Sequence, residues 1–170
     1  MAKLIQFLLD LIGAIFSPPA YDMPPQELPM NQELTNREKL LEAIRDSIGS
    51  DASPGDKVSD EFGCAESASN IIKKVYPNFR APILSTKELV AELDRHPECF
   101  ERTTLPKPGC IIISPRTDTT TGHAGFFVAK DRIVSNDSAT GLMQDNYSWS
   151  SWVLSFKDRK GLRIYIWEPL

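Results

Sequence analysis

The sequence predicts an α+β domain, on three observations. Helical periodicity fills the stretch from Asn36 to Leu93, and β-branched or aromatic runs fill the stretch after Pro108. Lys130-Asp131 then separates two of those runs by the two residues a tight hairpin needs. Helices first and antiparallel strands afterwards give N-terminal helices packed on an antiparallel sheet rather than alternating βαβ units. At 170 residues the chain suits one such domain with appendages. Its 41% hydrophobic and 25% charged residues suffice to bury a core. Three regions follow: an N-terminal helix over 1–16, a connector over 17–34 and the body over 35–170.

In the first region Leu4, Ile5, Leu8, Leu9, Leu11, Ile12, Ile15 and Phe16 make a wide apolar face. Lys3, Gln6, Asp10, Gly13 and Ser17 recur opposite, which is an amphipathic helix with a narrow polar stripe. The run is short for a bilayer span and holds Asp10. Its single lysine and interrupted apolar run also make a poor signal peptide. Docking on a protein or at a membrane interface is the expected role. Pro18, Pro19, Pro24, Pro25 and Pro29 make the connector extended and semi-rigid. Thr35-Asn36-Arg37-Glu38 reads as a capping box ahead of Leu40, Leu41, Ile44 and Ile48, with Gly49 as the stop. An acidic loop over 51–63 leads to a helix over 64–75, whose Ala65, Ala68, Ile71, Ile72 and Val75 face inward. Ser85-Thr86-Lys87-Glu88 starts another helix ending near Leu93. Strands are expected over 110–114, 123–129, 132–136 and 162–167.

A net charge of −4 argues against nucleic acid or anionic lipid as a partner, since both are polyanions. No phosphate-binding glycine loop, dinucleotide fingerprint or zinc motif occurs. The acidic loop does not match a calcium ligand set, so no cofactor and no metal are expected. Cys99 and Cys110 could bridge across the Pro106-Pro108 turn or stay reduced.

With only three cysteines and two histidines, one constellation carries chemistry. Cys64 opens a helix, where unpaired amides and the helix dipole can lower a thiol pKa. His123 opens a strand and could take the thiol proton. Asn136, on the next strand, would hold the far ring nitrogen, with Asp137 as its competitor on the opposite face. Amides of the Cys64 turn could bind an oxyanion. Glu66, in the first turn, favours the dipole or contacts substrate amines. Tyr147, Trp149 and Trp152 are core residues or grip a sugar or peptide, and Trp149 is the candidate substrate-binding aromatic.

Phe62-Gly63-Cys64-Ala65-Glu66-Ser67-Ala68-Ser69 resembles the nucleophile helix of the NlpC-like and CHAP cysteine amidohydrolases. The segments Leu105 to Ile113, Gly122 to Val128 and Ile133 to Gly141 resemble three strand segments of that family. Gly63 stands where the NlpC branch usually has Asp, and Cys110 where an Asp usually follows Pro-Gly. The resemblance implies a papain-like fold, with Cys64 as nucleophile, His123 as base and Asn136 as the orienting residue. The implied substrate is bacterial peptidoglycan, cut as an endopeptidase or as an N-acetylmuramoyl-L-alanine amidase. Phage virions, phage lysis and bacterial envelopes are where such domains work. The rival is a non-catalytic phage or secretion-system protein keeping the scaffold for binding, and a further alternative is an acyltransferase using the same thiol.

Overall fold

A computed structural model describes residues 33–53 and 63–170. The expected helix over 1–16, the connector up to residue 32 and the loop over 54–62 lie outside the described residues. Four α-helices are described: α1 Asn36–Ser47, α2 Cys64–Val75, α3 Thr86–Leu93 and the single turn α4 Trp149–Trp152. The last continues as a π-helical segment, Val153–Asp158. Six strands follow the order β1 Phe100–Arg102, β2 Ile111–Ser114, β3 His123–Ala129, β4 Arg132–Asn136, β5 Met143–Tyr147 and β6 Tyr165–Pro169.

The local signals act as their chemistry dictates. Thr35 Oγ1 accepts from the Glu38 amide at 3.3 Å, and the Glu38 carboxylate accepts from the Thr35 amide at 2.8 Å. That reciprocal pair satisfies two amides the helix cannot. Gly49, at φ 81°, ends α1 in the left-handed region that favours glycine. Its amide then donates to Met143 O at 2.8 Å, tying the end of α1 to the start of β5. Ser85 precedes α3 as expected, but its side chain makes no cap bond. Thr86 Oγ1 instead accepts from the Arg116 amide at 2.9 Å, spending a hydroxyl on tertiary structure.

The sheet runs β1-β6-β2-β3-β4-β5, with every neighbouring pair antiparallel. Its two faces carry separate cores. Ala124, Phe126 and Val128 of β3 and Val134 of β4 meet Leu40, Ile44, Ala65, Ala68, Ile71 and Ile72 of α1 and α2. Phe127, Ile133, Ile112 and Cys110 face Trp152 and Phe156 instead. Burial on both faces explains why β2 and β3 read as unbroken apolar runs. The chain is thus a mixed helix and antiparallel-sheet protein, as expected.

Three features differ from the sequence reading. β5 escapes detection because its Gln144, Asp145 and Asn146 suit a half-exposed edge. β1 is only three residues long. The last strand begins at Tyr165 rather than Leu162, because Leu162 closes the π-helical segment through its amide to Phe156 O at 2.8 Å. Cys64, Cys99 and Cys110 are all free thiols. Among the described residues no helix is long and apolar enough to cross a membrane.

Candidate active site

Cys64 is placed by the turn into α2. Gly63 precedes it with helical dihedrals, and a Cβ there would lie 2.6 Å from Ser53 Oγ and 3.2 Å from Asn136 Nδ2. Any larger residue there would require Ser53 to shift. The first helical bond runs from the Ser67 amide to Gly63 O at 2.8 Å, so the Cys64 and Ala65 amides lie ahead of the ladder. They act on the sulfur, as does the Ala124 amide of β3. Each favours the thiolate, and Lys160 adds to them, yet burial outweighs all four and pushes the thiol up to about 11. The expected depression by the helix terminus is therefore present but overruled: the resting sulfur is a neutral thiol, 6% exposed.

His123 sits one residue before Ala124 and, by strand alternation, points to the other face. Its ring stacks on Phe156 at 5.2 Å and 13°, and lies 5.4 Å from Trp152 and 5.6 Å from Tyr147. Burial among these rings lowers its pKa to about 4, helped by Lys160 and opposed by Asp137. Nε2 lies 2.9 Å from Ser135 Oγ. That hydroxyl donates its one proton to Asn146 Oδ1 at 2.7 Å, so towards the ring it can only accept. The Asn146 amide group in turn bonds the Asp137 carboxylate. Burial would raise the Asp137 pKa, but this bond and those from Ala139 and Thr140 hold it below its usual value. A chain of single-direction hydrogen bonds thus fixes the proton on Nε2 and leaves Nδ1 as the basic nitrogen.

Ser135, rather than Asn136, is the residue at the far ring nitrogen. Asn136 is buried on the α2 side of β4, against Gly63, because alternate residues of a strand face opposite ways. Asp137 serves the ring at second remove, through Asn146. Glu66 is buried within α2, at 4% exposure, and is not among the residues lining the cleft beside Cys64. Trp149 lies elsewhere, packed on Phe127 at 6.2 Å. Sequence reasoning missed Ser135 and Asn146, because the register shift between Phe127 and Ala129 that brings Ser135 to the ring has no signal in the sequence.

The cleft beside Cys64 has a volume of about 260 Å³ and is bounded by Leu84, Ser85, Thr86, Arg116, Thr121 and Gly122. Sulfur and imidazole border common groups. Tyr147 touches the His123 ring, and its pKa is raised by burial, by Asp137 and by the Cys64 charge. Lys160 acts on both pKa values and donates to Thr121 O at 3.4 Å. Among the described residues no hydrogen bond joins the sulfur to the ring: the sulfur takes the Ala124 amide on the α2 side of β3, and the His123 ring lies on the other face among Phe156, Trp152 and Tyr147. A larger concavity of about 760 Å³ is lined by Trp149, Val153, Lys157 and the chain leading into β6. Its lining has no cysteine or histidine, whereas the smaller cleft has Cys64, with His123 outside its lining. Among the described residues no group of three His, Cys, Asp or Glu could hold a metal ion.

Two substitutions probe this geometry. At Gly122 a Cβ would fall 2.4 Å from both Arg116 N and Ser114 O. Gly122→Ala is expected to cost about 1–3 kcal/mol by overpacking, read from urea unfolding. The second concerns acid. Below its ordinary 6.5 and down to about 4, His123 is protonated in the unfolded chain but not in the folded one. Stability is therefore fully present above 6.5 and lost as pH falls through about 4, by on the order of 3 kcal/mol. His123→Gln is expected to flatten that slope in thermal melts across this range.

No protein-family model matches the chain, and no curated protein matches it.

Proposed function

We propose that this chain is a papain-like cysteine amidohydrolase acting on an amide bond of bacterial peptidoglycan, with Cys64 as nucleophile and His123 as base. The observation that carries the reading is the directed relay His123–Ser135–Asn146–Asp137. It leaves Nδ1 of the ring as the basic nitrogen, on a strand whose next residue, Ala124, bonds the thiol at the head of a helix. A histidine serving only as packing has no need of a three-membered polar chain ending on a carboxylate.

A neutral thiol and a neutral imidazole imply proton transfer during attack rather than a preformed ion pair. As the sulfur attacks the carbonyl carbon, His123 Nδ1 takes the thiol proton. Asp137, through Asn146 and Ser135, stabilises the resulting imidazolium. The Cys64 and Ala65 amides are the donors for the oxyanion. The imidazolium then protonates the departing amine, and water, with its proton taken by the same nitrogen, releases the acid and regenerates the thiol. Water as the second acceptor distinguishes this from acyl transfer to an amine.

The test is digestion of purified muropeptides followed by mass spectrometry. Paired products whose summed mass exceeds the substrate by one water are expected, and intact fragments at high enzyme concentration would remove the substrate assignment. Ser135→Ala is expected to lower kcat on the order of 10²-fold, the cost of a displaced base, with little change in KM. The rival, a binding protein keeping the scaffold for assembly, has one observation in its favour: the thiol is buried and raised to about 11. Slow, equal alkylation of all three cysteines would favour it.

A further inference from the structure

We infer that the cleft beside Cys64 is a carboxylate subsite, with Arg116 as the group that selects substrates bearing a free carboxylate near the scissile amide. The inference rests on the proposed nucleophile and names what that nucleophile acts on. Three observations support it.

The first is the composition of the cleft. Its polar lining residues are Ser85, Thr86, Thr121 and Arg116, and no acidic residue is among the described residues that line it. Hydroxyls and a guanidinium together are the donor set for a carboxylate, which a planar fork can hold through two parallel bonds.

The second is that Arg116 is held in place yet unspent. Its amide is bonded to Thr86 Oγ1 at 2.9 Å, and the chain packs so closely over Gly122 that a Cβ there would meet Arg116 N. The backbone under the guanidinium is thus fixed against α3. Arg80, Arg95, Arg102, Lys107 and Arg132 are spent on Glu88, Glu92, Asp94, Glu168 and Asp145 in turn. Among the described residues Arg116 has no carboxylate partner, although the molecule carries a net charge of −4.

The third is a second cation on the same rim. Lys160 reaches over the Phe156 ring at 5.0 Å and donates to the carbonyl of Thr121, a cleft residue. Two positive groups on a rim with no acidic side chain among the described residues attract an anion and repel a substrate ammonium. The substrate class is therefore an acidic peptide whose carboxylate lies within one residue of the bond attacked by the sulfur, rather than a neutral or amidated one.

Paired alkylation of the full chain tests this, with iodoacetate as the carboxylate probe and iodoacetamide as its neutral counterpart. Modification of each cysteine is followed by peptide mass spectrometry near neutral pH. The iodoacetate-to-iodoacetamide rate ratio at Cys64 is expected to exceed that of free glutathione roughly tenfold, as local cationic steering gives. Arg116→Gln is expected to return it toward the glutathione value, and Arg116→Glu to carry it below. A glutathione-like ratio at a Cys64 that still outpaces Cys99 and Cys110 overturns the carboxylate subsite and leaves the nucleophile standing. A raised ratio that survives Arg116→Glu overturns the role of Arg116. Labelling of Cys64 no faster than the other two thiols overturns the nucleophile and the subsite together. Arg116 is exposed, so both variants are expected to fold, as circular dichroism checks.

Discussion

Cys64→Ala is expected to yield a folded protein whose proposed amide hydrolysis has fallen on the order of 10⁴-fold or more, because the proposed acyl intermediate forms on that sulfur. Measured side by side with wild type on one muropeptide preparation, the loss should lie in kcat. The fold is expected to survive. Alanine is smaller than cysteine, the position sits at the end of a helix rather than amid the core, and the vacated space opens toward a cleft of about 260 Å³. A cost of about 1 kcal/mol in urea unfolding is in line with such a truncation. The alkaline side separates the two proteins further. With the folded thiol raised from 9.0 to about 11, the unfolded chain loses its proton first in that interval. Wild-type stability is therefore expected to fall as pH rises from 9.0 toward about 11, a decline that Cys64→Ala lacks. Undiminished turnover in the variant would move the nucleophile elsewhere; an unchanged alkaline slope would show that the thiol is not the buried group described.

Trp152→Ala is expected to be the most damaging single change to stability. The indole is fully buried, packs 4.7 Å from Phe156, 5.3 Å from Tyr147 and 5.4 Å from His123, and donates to Ser114 Oγ at 3.0 Å. Truncation leaves a cavity of a whole indole and an orphaned hydroxyl, at about 3–5 kcal/mol. That is a large part of the roughly 5–15 kcal/mol a domain possesses. Trp152→Phe keeps most of the packing and loses the N–H, for about 1 kcal/mol plus a smaller void. Function should suffer in both. The ring wall is what keeps His123 neutral, so its loss allows the pKa to climb from about 4 toward 6.5. Chemical denaturation gives the first effect and an NMR titration of the His123 ring the second. A Trp152→Ala protein with native stability would mean that the aromatic layer is not a core.

Much of the fold was legible because helix and strand periods are local. The capping box at Thr35, the stop at Gly49 and the runs of β3 and β4 need no tertiary knowledge. The acidic edge strand β5 was hidden because its side chains report exposure, not backbone pairing. The site was half legible for a related reason. Cys64 and His123 are marked by their own chemistry, but the partner of His123 depends on register. A two-residue turn with regular pairing would put Asn136 opposite Gly125, on the His123 face. The register instead shifts between Phe127 and Ala129, so Ser135 pairs with Gly125. One extra residue exchanges the two faces of β4 relative to β3. No feature of the sequence around Val128 announces that shift, and the identity of the orienting group turns on it. The burial of the sulfur was equally unreadable, since it depends on Ala124 arriving from another element.

Thiol and imidazole are rooted in different halves of the molecule. The sulfur belongs to the layer built by α1 and α2, the ring to the one built by Trp152 and Phe156, and β3 is the shared wall. Heat need not melt the whole chain to silence it. In the proposed reaction each half has to bring its own group to that wall, so the ceiling on working temperature belongs to the weaker half. Each half can also drift in sequence at its own pace, provided the wall between them keeps its register.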